Sequence, residues 1–222
     1  MHGIRLCIAH TLGFLILSVP GYAAPKLDTA GENSTANPAL SETATAPDIV
    51  EHFHATLIQL MQVQDYPSRL ELAKPAVEAD FSLPTIARIS LGANWRSLNA
   101  ADQTSFQVLL SDLIASTYAS RFQQYNGQTF TITKIEPLGA NRSTVRSILT
   151  TRNETVRLDY QLLSENGRWL IYDIIANGVS DLSLKRSSYA GLFSSGGLTA
   201  VREEIAKKIS SNALSGDLEI PH

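Results

Sequence analysis

Few side chains in this 222-residue chain have the types and spacing that catalysis or metal binding requires. Beyond residue 23 the only histidines are His52, His54 and His222. His52 and His54 are two positions apart in a predicted helix, so their side chains point about 200° apart and cannot bind one metal ion. We therefore predict that the two histidines are either solvated or at the rim of the domain, and that they form no metal site.

Carboxylate pairs are the other candidates for acid–base chemistry. Glu78 with Asp80, and Glu203 with Glu204, have spacings that are typical of surface charges. Asp173 lies inside an apolar segment, where we expect a carboxylate hydrogen-bonded near a strand end rather than a catalytic base. The sequence has no nucleophile elbow, Walker loop or dinucleotide-binding glycine pattern. These observations predict a protein with no catalytic residues and no cofactor.

The first 23 residues have the three-part layout of a secretory signal peptide. Arg5 supplies the positive charge, a mostly apolar run extends from Leu6 to Val19, and Gly21-Tyr22-Ala23 supplies small residues at a cleavage site. The run is shorter than the ~20 apolar residues that cross a bilayer. The pattern predicts export to the periplasm, cleavage before Ala24 and a soluble product.

Composition excludes several further classes of protein. Cys7, the single cysteine, lies in the predicted signal peptide, so the mature chain can form neither a disulfide nor a thiolate metal site. Lysine and arginine number 18 against 21 acidic residues, for a net charge of −3. Since the chain is mildly acidic and has no basic run, we expect no nucleic-acid partner.

The rest of the chain divides into three parts. Residues 24–46 are rich in Ala, Thr, Ser and Asn and poor in large apolar residues, which is typical of a flexible leader. Residues 47–214 carry the hydrophobic periodicity of one folded domain, and residues 215–222 form a predicted disordered tail. This predicts a single domain of ordinary size.

Capping signatures and a 3.6-residue period predict helices in the first half of the domain. Thr45 and Asp48 form a capping box before the first helix, and Ser68 and Glu71 form a second box. Pro75 predicts that the second helix is kinked or interrupted.

Three further helices follow from similar patterns. One lies between Ser82 and Gly92, the longest opens at Asn99, and the last carries an apolar stripe from Leu198 to Ile209.

After Gly127 the period changes to two, which indicates strands. Residues 128–135, 143–150, 154–163 and 168–176 are four predicted strands joined by turns. The third alternates between apolar and polar residues, whereas the fourth is apolar on both faces and must be covered on both sides. The fold class is therefore α+β, with a four-stranded antiparallel meander packed against several helices.

Five segments, taken together, carry a family resemblance: the junction 118–130, the stretch Val156-Arg157-Leu158-Asp159-Tyr160, the segment WLIYDIIANGVS from Trp169 to Ser180, Arg186-Ser187-Ser188-Tyr189, and Gly196-Gly197-Leu198. In order and spacing they resemble the periplasmic component of the Mla lipid-transport systems, also called the toluene-tolerance auxiliary family. The resemblance covers residues 47–212. Residues 117–120 and 195–197 are closer to the hopanoid-associated branch of the family.

The resemblance implies a monomeric lipid carrier that moves between the inner and outer membranes. Its partners would be a phospholipid or hopanoid-type lipid, an inner-membrane lipid transporter and an outer-membrane lipoprotein complex. It also implies an apolar cavity of lipid size between sheet and helices. The expected lining residues are Phe81, Ile86, Ile89, Phe106, Leu110, Leu113, Tyr118, Phe122, Tyr160, Tyr172, Ile174 and Val179.

Two other functions remain open at this point. An enzyme with a cone-shaped α+β fold, acting on a small hydrophobic molecule, would need Asp159 or Asp173 to be buried with a partner inside the cavity. A structural or adaptor protein would fill the same space with a closed core. The sequence also leaves open the identity of the lipid, the direction of transport and which face of the fourth strand lines the cavity.

Overall fold

The computed structural model describes residues 44–216; the predicted signal peptide, nearly all of the predicted leader and residues 217–222 lie outside this range. Within it, four helices precede an antiparallel sheet and one long helix follows. The elements are α1 (Ala46–Leu60), α2 (Tyr66–Asp80), α3 (Leu83–Leu91), a 3₁₀ helix (Gly92–Ser97), α4 (Ala100–Arg121), β1 (Thr129–Pro137), β2 (Arg142–Thr150), β3 (Thr155–Glu165), β4 (Arg168–Ala176), β5 (Val179–Ser180) and α5 (Asp181–Gly216).

Local capping accounts for where the first two helices begin. The Thr45 backbone N–H and hydroxyl both donate to the Asp48 carboxylate, at 2.7 and 2.6 Å, as the capping box predicts. The prediction of a second capping box was wrong, because α2 begins earlier and the Asp65 carboxylate accepts from the Ser68 N–H at 2.9 Å.

Pro75 does not interrupt α2. Ala73, Ala76 and Val77 beside the proline are buried and α2 packs against α4, so tertiary packing offsets the hydrogen bond that Pro75 cannot make.

The ends of α3 and the start of α4 agree with prediction. Gly92 follows α3 with a φ of +57°, a conformation that glycine adopts at little cost. The Asn99 side chain caps α4 by accepting from the Asp102 N–H at 2.8 Å. Local signals were therefore sufficient for these boundaries.

The sheet is an antiparallel meander in the order β1-β2-β3-β4-β5. The four predicted strands are confirmed, and β5 adds a two-residue strand at the β4 edge. Asn166 and Gly167 join β3 to β4 with φ of +51° and +79°, the conformation of a tight hairpin turn. One face of the sheet packs on the helices and is called the inner face; the opposite face is called the outer face.

A bulge explains part of the irregular pattern of β4. Leu162 pairs with Ile171 and Gln161 with Asp173, so Tyr172 is an extra residue on the β4 side. Ile171 and Ile174 therefore share the inner face with Leu162 and Tyr160 of β3. The structure thus decides which side of β4 faces the helices.

The last helix changes direction at Gly196 and Gly197, where the φ of Gly197 is +64°. Beyond this kink Val201 and Ile205 are fully buried against the rest of the core, as the predicted stripe requires. No helix in residues 44–216 combines the length and apolarity needed to span a bilayer.

Candidate functional site

Of the two histidines predicted to be solvated or at the rim, His52 keeps part of its surface exposed, whereas His54 is buried and contradicts the prediction. His52 Nδ1 lies 2.9 Å from both carboxylate oxygens of Asp80, whose side chain is completely buried. Burial raises the pKa of Asp80 to about 6, while the hydrogen bond from His52 opposes that shift. The prediction that Asp80 is a surface charge was wrong, because its contact with His52 joins residues 28 positions apart and has no local signal.

His54 is buried between α1 and the inner face of the sheet. Its Nε2 lies 3.0 Å from the Tyr160 hydroxyl, and its ring stacks on Phe130 with the ring centroids 4.4 Å apart. Burial lowers the pKa of His54 from 6.5 to about 4, since the protonated ring would lose its hydration. His54 is therefore a neutral hydrogen-bonding group at neutral pH.

This buried state predicts acid sensitivity. Because the pKa of His54 is about 4 in the folded state and 6.5 when solvated, the unfolded state binds more protons between these values. The stabilisation from neutral His54 is complete above pH 6.5 and is lost as pH falls toward 4. We expect the difference in free energy of unfolding between wild type and His54→Gln to rise by on the order of 3 kcal/mol from pH 4 to 6.5.

Urea denaturation at a series of pH values measures this difference. The raised pKa of Asp80 acts with the opposite sign, since its protonated form favours the folded state between about pH 4 and 6. Asp80 is present in both proteins, so its contribution cancels. A difference that does not change with pH would contradict a neutral, buried His54.

Aromatic rings connect the helices to the sheet around His54. The Phe53 ring lies edge-on to Phe81 and Tyr118, at centroid distances of 5.0 and 4.9 Å. Tyr118 contacts Phe122, which in turn contacts Phe130 of β1 at 6.3 Å. The aromatic cluster, as used below, consists of Phe53, His54, Phe81, Tyr118, Phe122, Phe130 and Tyr160.

The twelve residues expected to line a cavity fall into three groups. Six belong to the closed core with less than a tenth of their surface exposed: Phe81, Ile86, Phe106, Leu110, Leu113 and Tyr160. Five pack on that core but keep accessible surface: Ile89, Tyr118, Phe122, Tyr172 and Ile174. Val179 of β5 is 41% exposed.

The accessible apolar residues have a common location. Phe130, Ile132, Leu158 and Ile174 lie on the inner face and are only partly covered, although the helices pack on this side. Tyr118 of α4 also keeps accessible surface, yet it is enclosed deeply enough that burial raises its pKa well above the ordinary value. We interpret these partly covered side chains as an incomplete closure of the helices over the inner face, and we call this opening the crevice.

Sequence reasoning missed three members of the aromatic cluster as site residues: Phe53, His54 and Phe130. Phe53 lies on the apolar stripe of α1, and Phe130 alternates with Ile132 on the inner face of β1. Their periodicity could have placed them in the site, whereas nothing local distinguishes His54 from His52.

The two carboxylates that an enzyme would need both have partners in the fold. Asp173 accepts hydrogen bonds from the Ser180 hydroxyl at 2.6 Å and from the Leu182 N–H at 3.1 Å, so it caps α5, which confirms a structural carboxylate. Asp159 lies on the outer face and pairs with Arg157 at 3.6 Å. In the described part of the chain, no three His, Cys, Asp or Glu side chains are grouped for metal binding.

Comparison with known proteins agrees with this architecture. The model of the family described as MlaC protein matches residues 51–207. The chain belongs to the MlaC family. A solved MlaC-like structure, a phospholipid-binding protein from Ralstonia solanacearum in complex with a phospholipid, superimposes with a TM-score of 0.68 at 19% sequence identity. The match covers 77% of this chain and 99% of the Ralstonia protein, so nearly the whole of that fold is present here.

Proposed function

We propose that this MlaC family member is a periplasmic carrier that holds lipid tails in the crevice between the inner face and the helices. The observation that carries the proposal is the enclosed, partly accessible apolar surface formed by Tyr118, Phe122 and Ile174 with their neighbours on β1 and β3. Family membership and the phospholipid bound by the Ralstonia relative support it. The cargo is a phospholipid or a hopanoid-type lipid.

The energetics of lipid tails define what the carrier must do. A diacyl lipid has about 30 tail methylenes at ~0.8 kcal/mol each, so exposing both tails to water costs on the order of 20 kcal/mol. Spontaneous release into water is therefore far too slow for transport. An apolar crevice makes transfer from a membrane protein to the carrier nearly neutral, provided that the tails remain covered throughout.

The proposed partners follow from the same argument. The sequence has no Walker loop that would bind a nucleotide, so the carrier has no energy source of its own. The direction of transport must therefore come from the proteins that load and unload it. We assign these roles to an inner-membrane lipid transporter and an outer-membrane lipoprotein complex, with which a monomeric carrier docks transiently. Chemistry on the lipid is not part of the proposal, since Asp173 is hydrogen-bonded at the start of α5 and Asp159 pairs with Arg157.

Native mass spectrometry tests the proposal directly. We expect protein purified from its own periplasm without detergent to carry one lipid per chain, released at high collision energy. Fragmentation of the released species separates phospholipids, which yield phosphate-containing fragments, from hopanoids, which do not. The polypeptide mass also shows whether the mature chain begins at Ala24. A lipid-free mass under the gentlest conditions would contradict the carrier proposal.

A further inference from the structure

The outer face of the sheet carries a cluster of cations that the proposed lipid crevice does not use. Strand register places Arg146 opposite Lys134 on one side and Asp159 on the other. Ile148 lies opposite Arg157 on the same face. Val145, Ser147 and Leu149, which alternate with these β2 residues, are buried on the inner face. The cations therefore lie across the sheet from the aromatic cluster.

These side chains surround a depression of about 460 Å³, called the outer pocket. Its charged lining consists of Lys134, Arg146 and Arg157, and no carboxylate lines it. Thr133, Thr155 and Asn177 add neutral hydrogen-bonding groups, and Ile148 lies among them as the one aliphatic side chain. Three cations with hydroxyl and amide groups form a lining suited to an anion.

Neighbouring carboxylates orient the guanidinium groups without occupying all their donors. Arg146 Nη2 donates to Glu136 at 2.8 Å, and Glu136 also pairs with Lys134. The Arg146 side chain is 42% exposed, so its guanidinium keeps accessible surface at the pocket beside its ion pair with Glu136.

The Arg157 guanidinium also keeps donors that can reach a ligand in the outer pocket. Its Nε is 3.6 Å from Asp159, which is an ion pair but too long for a good hydrogen bond. A Cβ placed on Gly178 would lie 3.8 Å from Arg157 Nη2, so the guanidinium extends over the turn that carries Asn177. In that turn the Arg157 N–H donates to the Asn177 side-chain oxygen at 2.9 Å, which holds Asn177 at the pocket.

We propose that the outer pocket binds a phosphate group, with Arg146 and Arg157 as the principal ligands and Lys134 as a third cation. Guanidinium groups present paired N–H donors that match phosphate oxygens, and hydroxyl and amide groups satisfy the remaining acceptors. The phosphate belongs either to a free ion or to a lipid headgroup at a membrane surface. The site lies on the opposite face from the crevice, so it does not depend on the proposed lipid tails.

Nuclear magnetic resonance with two probes tests the site. With inorganic phosphate, we expect saturable shifts of the backbone amides of Thr133, Ile148, Thr155 and Asn177. Arg146→Gln and Arg157→Gln should each weaken phosphate binding about fivefold or more, since charge-assisted hydrogen bonds at a partly exposed site are worth this order. Arg157 is 56% exposed, so its variant keeps the fold even if Arg146→Gln does not.

Vesicles distinguish the source of the phosphate. Binding to vesicles that contain phosphatidylglycerol, lost in Arg157→Gln, assigns the site to lipid headgroups, whereas binding of inorganic phosphate alone assigns it to a free ion. Arg88→Gln, at an exposed position on α3, removes the same charge elsewhere and should leave phosphate binding and vesicle binding unchanged.

The proposal is overturned if neither probe gives saturable shifts at the pocket, or if Arg88→Gln weakens binding as much as Arg157→Gln. Extractable lipid in Arg157→Gln should equal that of wild type, which keeps this result separate from the carrier proposal.

Discussion

We expect Ile174→Asp to give a folded, monodisperse protein that retains little or no lipid. Ile174 packs on the core from the inner face of β4 but keeps accessible surface, so a carboxylate there can hydrate once the lipid is absent. With lipid present the same carboxylate would face apolar tails, at a cost of several kcal/mol or a large upward shift of its pKa. Melting temperature and extractable lipid, measured on one preparation, give the two results.

Leu113→Asp is the matched control for this substitution. Leu113 belongs to the closed core and is only 4% exposed, so an aspartate at that position has no access to water. We expect destabilisation of more than ~3 kcal/mol, as for other unpaired buried charges. If Ile174→Asp is as unstable as Leu113→Asp, the space beside Ile174 is solid core and the crevice is wrong. A folded Ile174→Asp with full lipid load would place the lipid elsewhere.

The second large effect concerns Arg69, which is 1% exposed in the interior of the domain. Its Nε donates to the Ala119 carbonyl at 2.7 Å and its Nη2 to the Gly216 carbonyl at 2.8 Å. Its Nη1 donates to the carbonyls of Val63, at 3.0 Å, and Gln64. One guanidinium thus joins the α1–α2 connection to the C-terminal ends of α4 and α5.

We expect Arg69→Met to lower the free energy of unfolding by more than about 3 kcal/mol, because several buried carbonyls lose a charged donor at once. Arg69→Lys should recover little of this loss, since a single ammonium cannot reach carbonyls on three elements. Urea denaturation measures both effects. Arg88→Met, at an exposed position on α3, is the control and should change stability by less than about 0.5 kcal/mol. A loss below 1 kcal/mol in Arg69→Met would show that the carbonyls find other donors.

Features that depend on residues close in sequence were predictable here. The Thr45–Asp48 cap, the Asn99 cap and the Asn166-Gly167 turn each involve partners within three positions. The alternating strands followed from their period of two, the apolar fourth strand followed from its position between turn signals, and the antiparallel order followed from the short turns. These interactions are formed by the local chain, so their signals appear in the local sequence.

Contacts between distant residues were not predictable in the same way. The local sequence patterns of His52 and Asp80 predict surface positions, but the two side chains form a hydrogen-bonded contact between α1 and the end of α2, and the Asp80 carboxylate is buried. Asp65, and not Ser68, caps α2, because the helix begins one turn earlier than the predicted capping box placed it.

The sequence by itself determined the α+β class, most element boundaries, the absence of recognisable catalytic motifs and the resemblance to the Mla family. Only the tertiary structure decided which residues of the predicted lining are closed core and which keep accessible surface. It also decided that the bulge at Tyr172 turns Ile171 and Ile174 to the same side of β4. The physical reason is that helical and strand periods select the apolar face of each element. The space left between two such faces depends on how they pack, and the residues that set that packing are far apart in the chain.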